Sequence, residues 1–251
     1  MIERILGDRE GRELIALHRQ TREQVLAVKR EGLPDLVPIG GVEEVPGTGQ
    51  KVFIGERRPR AGQLVVTLGT WGRTHDDAFA LQRELVGLAD QIGTYTRTPG
   101  GTLEIAGVSS VRRSFQGSPQ SGGEVELTLE CTSPYFWTDV APRPLVVGAP
   151  QAVRIGGQAP TGLRVSLTAG GAAVTNPSIL SDAGLTIWRS TVPAGQTLTL
   201  DSRRGWSATL NGADVSLYVT GPLPHLEPGT RSLTLTAPGA AAEVAWREGD
   251  L

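Results

Sequence analysis

Residues Glu124–Asp139 read EVELTLECTSPYFWTD, and the fold is easiest to follow outward from them. Val125, Leu127, Leu129 and Cys131 alternate with Glu126, Thr128 and Glu130, a period of two that predicts a strand with one buried and one wet face. Ser133-Pro134 then interrupts it, because proline lacks a ladder donor and pushes its predecessor into extended backbone. Tyr135, Phe136 and Trp137 follow, three of only twelve aromatic residues in the chain. Next comes APRPLVVGAP at 141–150, with prolines at 142, 144 and 150. A regular strand, an aromatic plug and a proline-stiffened run predict the end of one domain and the start of a linker.

Composition agrees with that boundary. Before Val140 there are 16 basic and 19 acidic residues, and from it onward 8 and 7, so charge density falls where the proline run begins. The 33 glycines and 17 prolines in 251 residues imply many turns between many short strands. A net charge of -2 argues against a nucleic-acid binder that needs a basic face. Arginine outnumbers lysine 22 to 2, which carries no functional weight here. The single cysteine excludes an intramolecular disulfide. No charged-then-apolar leader opens the chain and no window approaches a membrane span, so the sequence predicts a soluble, cytoplasmically made protein without a membrane partner.

Residues 1–60 read as strands around Leu14–Leu17, Val25–Val28 and Val52–Ile54, punctuated by Gly40-Gly41 and by PGTGQ at 46–50. The run ERRPR at 56–60 is expected to be a solvated turn, with a face toward a partner as the alternative. Gln63–Leu68 is a short strand, and a helix is predicted from His75 to Ile92. There Ala78, Leu81, Leu85, Leu88 and Ile92 share one face, Thr74 caps the start and Gly93 sits at C′. Thr94–Phe115 predicts a hairpin around Pro99-Gly100-Gly101, and QGSPQSGG at 116–123 a polar turn. After Gln151 helical periodicity is absent. Leu163–Leu167, Leu198–Leu200, Trp206–Leu210, Val215–Val219, Leu233–Leu235 and Val244–Trp246 alternate as strands, with Asn211-Gly212 a hairpin turn. The fold class predicted is mainly β. An α+β domain over 1–140 carries one helix on a sheet and a β-hairpin, a proline-rich linker covers 141–152, and an all-β galectin-like or jelly-roll sandwich covers 153–251.

The sequence carries no motif that predicts a catalytic, metal or cofactor site. His75-Asp76-Asp77 sit at consecutive helix positions and cannot converge on one ion. His18 and His225 lack ligand spacing, and Cys131 falls on an apolar strand face where cysteine packs as a small hydrophobe. No nucleophile elbow, zincin helix or phosphate loop occurs. Asp201 suits a strand end better than a glycosidase carboxylate. Trp188, Trp206, Tyr218 and Trp246 could line a sugar-binding face or fill the core, and the core reading is preferred.

The order of these features resembles the distal tail protein (Dit) family of long, non-contractile-tailed bacteriophages. The resemblance rests on Cys131, Pro134, Tyr135 and Phe136 ending a strand, with a helix and a hairpin before them. It continues with Asp201 ending a strand, the Asn211-Gly212 hairpin, and Leu226-Glu227-Pro228-Gly229 before the last strands. It runs from about residue 63 to the C-terminus, and covers 1–60 only loosely. One departure is Thr230-Arg231, where family members usually place an asparagine. No large insertion is present, so the sugar-binding version of the family, with its extra module, is not expected.

The resemblance implies a non-enzymatic virion protein of the phage tail tip, assembled in the host cytoplasm without cofactors. It implies a ring of copies of this chain, a hexamer, joining the tail tube protein to the tail-tip hub protein. The tape measure protein is a further contact, and DNA is only passing cargo. Tyr135–Trp137 are expected to wedge the first domain against the linker. The alternative reading is a carbohydrate-binding β-sandwich module on a small α+β domain.

Overall fold

The computed structural model describes residues 3–32, 34, 36–44, 51–115 and 122–251, with backbone alone at 36–44, 51–61 and 115. The PGTGQ turn and most of the polar turn at 116–123 lie outside the described residues. The chain divides into two compact units, Met1–Phe136 and Trp137–Asp250.

The first unit is built on an antiparallel sheet. Strand Gly122–Cys131 lies between Gln63–Gly72 and Gly101–Phe115, and Gln24–Glu31 and the short Arg19–Gln20 extend the sheet beyond Gln63–Gly72. The alternation in Gly122–Cys131 holds along its length: Val125, Leu127, Leu129 and Cys131 are buried, and the residues between them are half-buried. A second set of strands runs Glu13–Ala16, Glu3–Gly7, Thr94–Thr98, and then the first residues of Gly101–Phe115. The hairpin predicted over 94–115 is therefore present, with Gly100 and Gly101 at positive φ.

Helix His75–Leu88 lays Ala78, Leu81 and Leu85 inward, and Leu81 and Leu85 share one core with Leu64, Val66, Leu68, Val125, Leu127 and Leu129. Its start is a capping box. The Thr74 hydroxyl accepts from the Asp77 amide at 3.2 Å, while the Asp77 carboxylate accepts from the Thr74 amide at 2.8 Å. The helix is shorter than its apolar spacing predicts, because Ala89–Gln91 tighten into a 3₁₀ turn and Ile92 is already extended. Gly93 accordingly does not cap the helix. Its amide donates to the Gly7 carbonyl at 2.9 Å, and a β-carbon there would meet Arg9 at 2.6 Å. Close approach of another chain segment, and not a left-handed cap, requires glycine at this position.

Leu36–Glu44 and Lys51–Ala61 form a two-stranded antiparallel ladder. The ERRPR run lies inside its second strand instead of forming a turn, and Gly40-Gly41 lie inside its first. Backbone pairing with a facing strand overrides the local preference of a charged, proline-containing run.

The second unit is a β-sandwich. One sheet orders Ala213–Asp214, Ser207–Leu210, Thr197–Asp201, Thr161–Ala169 and Ala240–Asp250, with Arg143–Leu145 on the far edge of the last. The other orders Pro150–Ile155, Gly229–Thr236, Ser178–Ser181, Gly184–Trp188 and Val219–Thr220. Their inner faces meet in a core of Leu163, Val165, Leu167, Leu198, Leu233, Leu235, Ile179 and both Trp188 and Trp246. Strand Arg143–Leu145 falls within the run expected to be a linker, and Pro150–Ile155 begins within it. Pro144 and Pro150 sit in edge strands, where a missing donor is tolerated. Residues 215–219 also differ from expectation. Asp214 accepts from the Ser216 amide at 2.9 Å and Ser216–Tyr218 wind into a 3₁₀ turn, leaving Leu217 97% exposed.

Candidate functional site

The residues singled out in the sequence take structural positions in two separate units. Cys131 is buried at the end of its strand, and its thiol points to the Leu129 carbonyl at 3.7 Å. Pro134 is buried and Tyr135 half-buried, and the Tyr135 amide donates to the Ser133 hydroxyl at 3.2 Å. Phe136 is 2% exposed, edge-on to Tyr95 at 6.4 Å between centroids, with the Arg97 guanidinium 4.5 Å from its ring centre. The Cys-x-x-Pro-aromatic-aromatic stretch thus closes the core of the first unit.

A buried polar group in that unit gave no signal in the sequence. Glu31 receives Arg4 at 2.6 Å and Arg97 at 3.5 Å, from strands 27 and 66 residues away. Burial, reinforced by the Glu31 carboxylate, pushes the nearby Tyr95 hydroxyl well above the ordinary tyrosine value.

In the second unit Asp201 ends its strand and holds Arg203 through two side-chain contacts of 3.1 and 2.9 Å and the Arg203 amide at 3.0 Å. Burial raises its carboxyl pKa, but the Arg203 hydrogen bonds and charge, with Arg164 behind them, outweigh burial and hold it below the ordinary value. Asp139 lies 3.7–3.8 Å from Arg203, Arg204 and Arg247. Arg247 also covers the Trp137 ring at 5.0 Å. An open cavity of about 280 Å³ is lined by Asp201, Arg203, Arg204, Gly205, Trp206 and Ser207. The Arg203-Arg204 pair reads in sequence only as a turn, since its acidic partner Asp139 lies more than sixty residues earlier.

Asn211 and Gly212 occupy the turn between Ser207–Leu210 and Ala213–Asp214, both with φ positive, at 48° and 87°. Pro228 and Gly229 lead into Gly229–Thr236. Arg231 folds back on them, donating to the Pro228 carbonyl at 3.0 Å, and the Glu227 amide donates to Asp182 at 2.9 Å. Each of these residues shapes a turn.

Trp188 and Trp246 are both 1% exposed, and Trp206 is half-buried against the same core. They do not form an aromatic platform. His75 stacks on Phe79, His18 lies 3.3 Å from Arg4, and His225 lies 3.8 Å from Glu227. Among the described residues no group of three or more metal-ligating side chains converges, and no helix is long and apolar enough to cross a membrane.

No protein-family model matches the sequence, and no curated protein matches it. Solved structures do. The two-unit, strand-rich architecture is the fold of phage tail baseplate components. Within that class it is the fold of Dit. The crystal structure of SPP1 Dit (gp 19.1), described as a paradigm of the hub adsorption apparatus in phages that infect Gram-positive bacteria, superposes with a TM-score of 0.74 at 16% identity, over 100% of both chains. A chain of the phage P2 baseplate in its activated conformation with Ca matches with a TM-score of 0.61 at 9% identity, over 99% of this chain and 98% of that one.

Proposed function

We propose that this chain is a structural component of a phage tail tip, a distal tail protein that forms a ring between the tail tube and the tail-tip hub. One observation carries the reading: the likeness to SPP1 Dit takes in both units and both whole chains, so it is not the likeness of one common sandwich. The work proposed is binding and not catalysis. Copies of the chain contact one another head to tail, and such heterologous contacts close into a ring when the rotation between copies divides a full turn. The ring proposed is a hexamer. The tail tube protein lies on one side of the ring, the hub protein on the other, and the tape measure protein is a further contact. A net charge of -2 suits a bore through which DNA passes without being held by its phosphates. The signature residues Cys131, Pro134, Tyr135, Phe136, Asp201, Asn211, Gly212, Pro228 and Gly229 serve this role by fixing the core and turns of each unit.

The test is solution mass by light scattering together with negative-stain images, with and without a tail tube protein. A six-fold ring, formed alone or on addition of the tube protein, is the expected result. A monomer with no affinity for tail proteins would overturn the reading.

A further inference from the structure

We propose that the outward face of the sheet holding Ser178–Ser181 and Gly184–Trp188 docks an amphipathic helix of a partner protein, one with an aliphatic stripe and acidic ends. Exposed apolar side chains are concentrated here. Of the nine large ones among the described residues, five lie on this sheet or at its edge: Leu180, Leu185, Leu217, Tyr218 and Leu223. Scattered single leucines need no explanation, but a cluster on one element marks an interaction surface. The register builds its centre. Leu180 pairs with Leu185 across the hairpin, and Ile187 is the next alternate residue of the same strand, so all three share one face. The two leucines are 49% and 47% exposed, whereas Ile179 and Trp188 on the inward face are each 1% exposed.

The charges on this face say what covers it. Thr220 pairs with Ile187, and the Arg189 guanidinium donates to the Thr220 hydroxyl at 3.0 Å, which sets a cation at one end of the patch. Toward the other end Thr234 pairs with Leu180 and, four residues earlier in the same strand, Thr230 pairs with Arg154. Arg189 likewise lies four residues beyond Leu185, so each arginine stands about 13 Å along the strand direction from the leucine pair. Both arginines are exposed. The positions between them on this face, Ser178, Ser232, Thr234 and Thr236, carry hydroxyls and no carboxylate. Asp182, in the hairpin tip, accepts from the Glu227 amide at 2.9 Å and lies 3.6 Å from Arg231. Leucines in the middle and a cation toward each end complement a segment that is aliphatic in the middle and acidic at its ends.

A helix is the element that suits an open sheet face. The first unit is built that way, with Leu81 and Leu85 of His75–Leu88 laid on its sheet. A second copy of this chain does not fit. The same face turned on itself would bring arginine to arginine with no carboxylate to meet either.

Fluorescence anisotropy of the full chain with three labelled peptides tests the proposal. One is helical, with leucine at i, i+3, i+4 and i+7 and glutamate at both ends; the second has lysine at both ends; the third is a scrambled form of the first. Saturable binding of the glutamate-ended peptide is expected, with the other two weaker by about tenfold or more. Leu180→Asp and Leu185→Asp should each weaken it by a similar factor, while Thr168→Asp, an equal charge on the other sheet, leaves it intact. Arg189→Glu should move the preference toward the lysine-ended peptide, a change that unfolding would not produce. Unchanged thermal melts establish that the variants fold. Failure of the glutamate-ended peptide to bind, binding that survives both leucine substitutions, or indifference to the sign of the end charges would overturn the proposal. So would sedimentation of the chain with phosphatidylglycerol vesicles, or self-association, that Leu185→Asp abolishes while no peptide binds; these would assign the face to a membrane or to a second copy. The inference rests on the second unit alone: a ring that binds no such peptide overturns only this proposal, and a peptide-binding monomer overturns only the tail-hub reading.

Discussion

Phe136 shows how much one side chain of the aromatic triplet carries. It is buried against Tyr95, with Arg97 over its ring, in the core that also holds Cys131. Phe136→Ala should therefore cost the first unit about 3–5 kcal/mol in urea denaturation, and a loss below about 1 kcal/mol would show that the ring does not support that core. Asp201 makes a different prediction, one of pH. Its carboxyl is held below the ordinary value of 3.8, so the stability it contributes is present above that value and fades as pH falls through the lowered one. Asp201→Asn should accordingly lower the melting temperature at neutral pH, and the gap to the parent should shrink in acid. A gap that stays constant down to pH 2 would contradict this. Tyr95 acts at the opposite end of the scale. An unfolded chain releases the phenol proton near 10, whereas the folded chain retains it, so stability should fall as pH rises past about 10. Tyr95→Phe should flatten that alkaline decline.

At the scale of elements, what the sequence discloses depends on how local the cause is. The strand Gly122–Cys131, the Asn211-Gly212 turn and the Thr74 cap are each dictated by residues within one or two turns of chain, and all three are legible. Thr74→Ala removes a capping box and should cost about 1 kcal/mol, read from the urea midpoint. Gly212 sits at φ 87° with open space where a β-carbon would go. Gly212→Ala should then cost about 1–2 kcal/mol through backbone strain alone, and a neutral result would mean the turn relaxes to another type. Other elements have distant causes. The ERRPR run becomes strand through pairing with Leu36–Glu44, and Arg143–Leu145 becomes strand through pairing with residues 242–244. Neither partner can be seen from the run itself. The alternation at Val215, Leu217 and Val219 misleads for a related reason: a Ser216–Asp214 hydrogen bond diverts the chain before the pattern can act. The charge cluster at Asp139 gathers arginines more than sixty residues away, which one-dimensional reading does not supply.

For the whole molecule, the two cores share none of their buried residues. We expect the units to unfold as separate cooperative blocks, and a fragment spanning 137–251 to fold alone. Calorimetry should resolve two transitions, with the fragment reproducing one of them. A single transition that the fragment does not reproduce would show the units to be thermodynamically one.

The last strand, Ala240–Asp250, pairs with Thr161–Ala169 along one edge and with Arg143–Leu145 along the other. The strand that closes the second unit therefore occupies an interior place in its sheet and leaves the ribosome after the strands it pairs with. The first unit has all its strands once Phe136 has left the ribosome and can fold while translation continues, as N-terminal domains generally do. The second unit must wait with its hydrophobic strands uncovered until Asp250 emerges. A nascent chain arrested after Pro238 should resist protease within the strands and helix of the first unit and be cut freely beyond Phe136, and an arrest point that lets Asp250 emerge should abolish the difference.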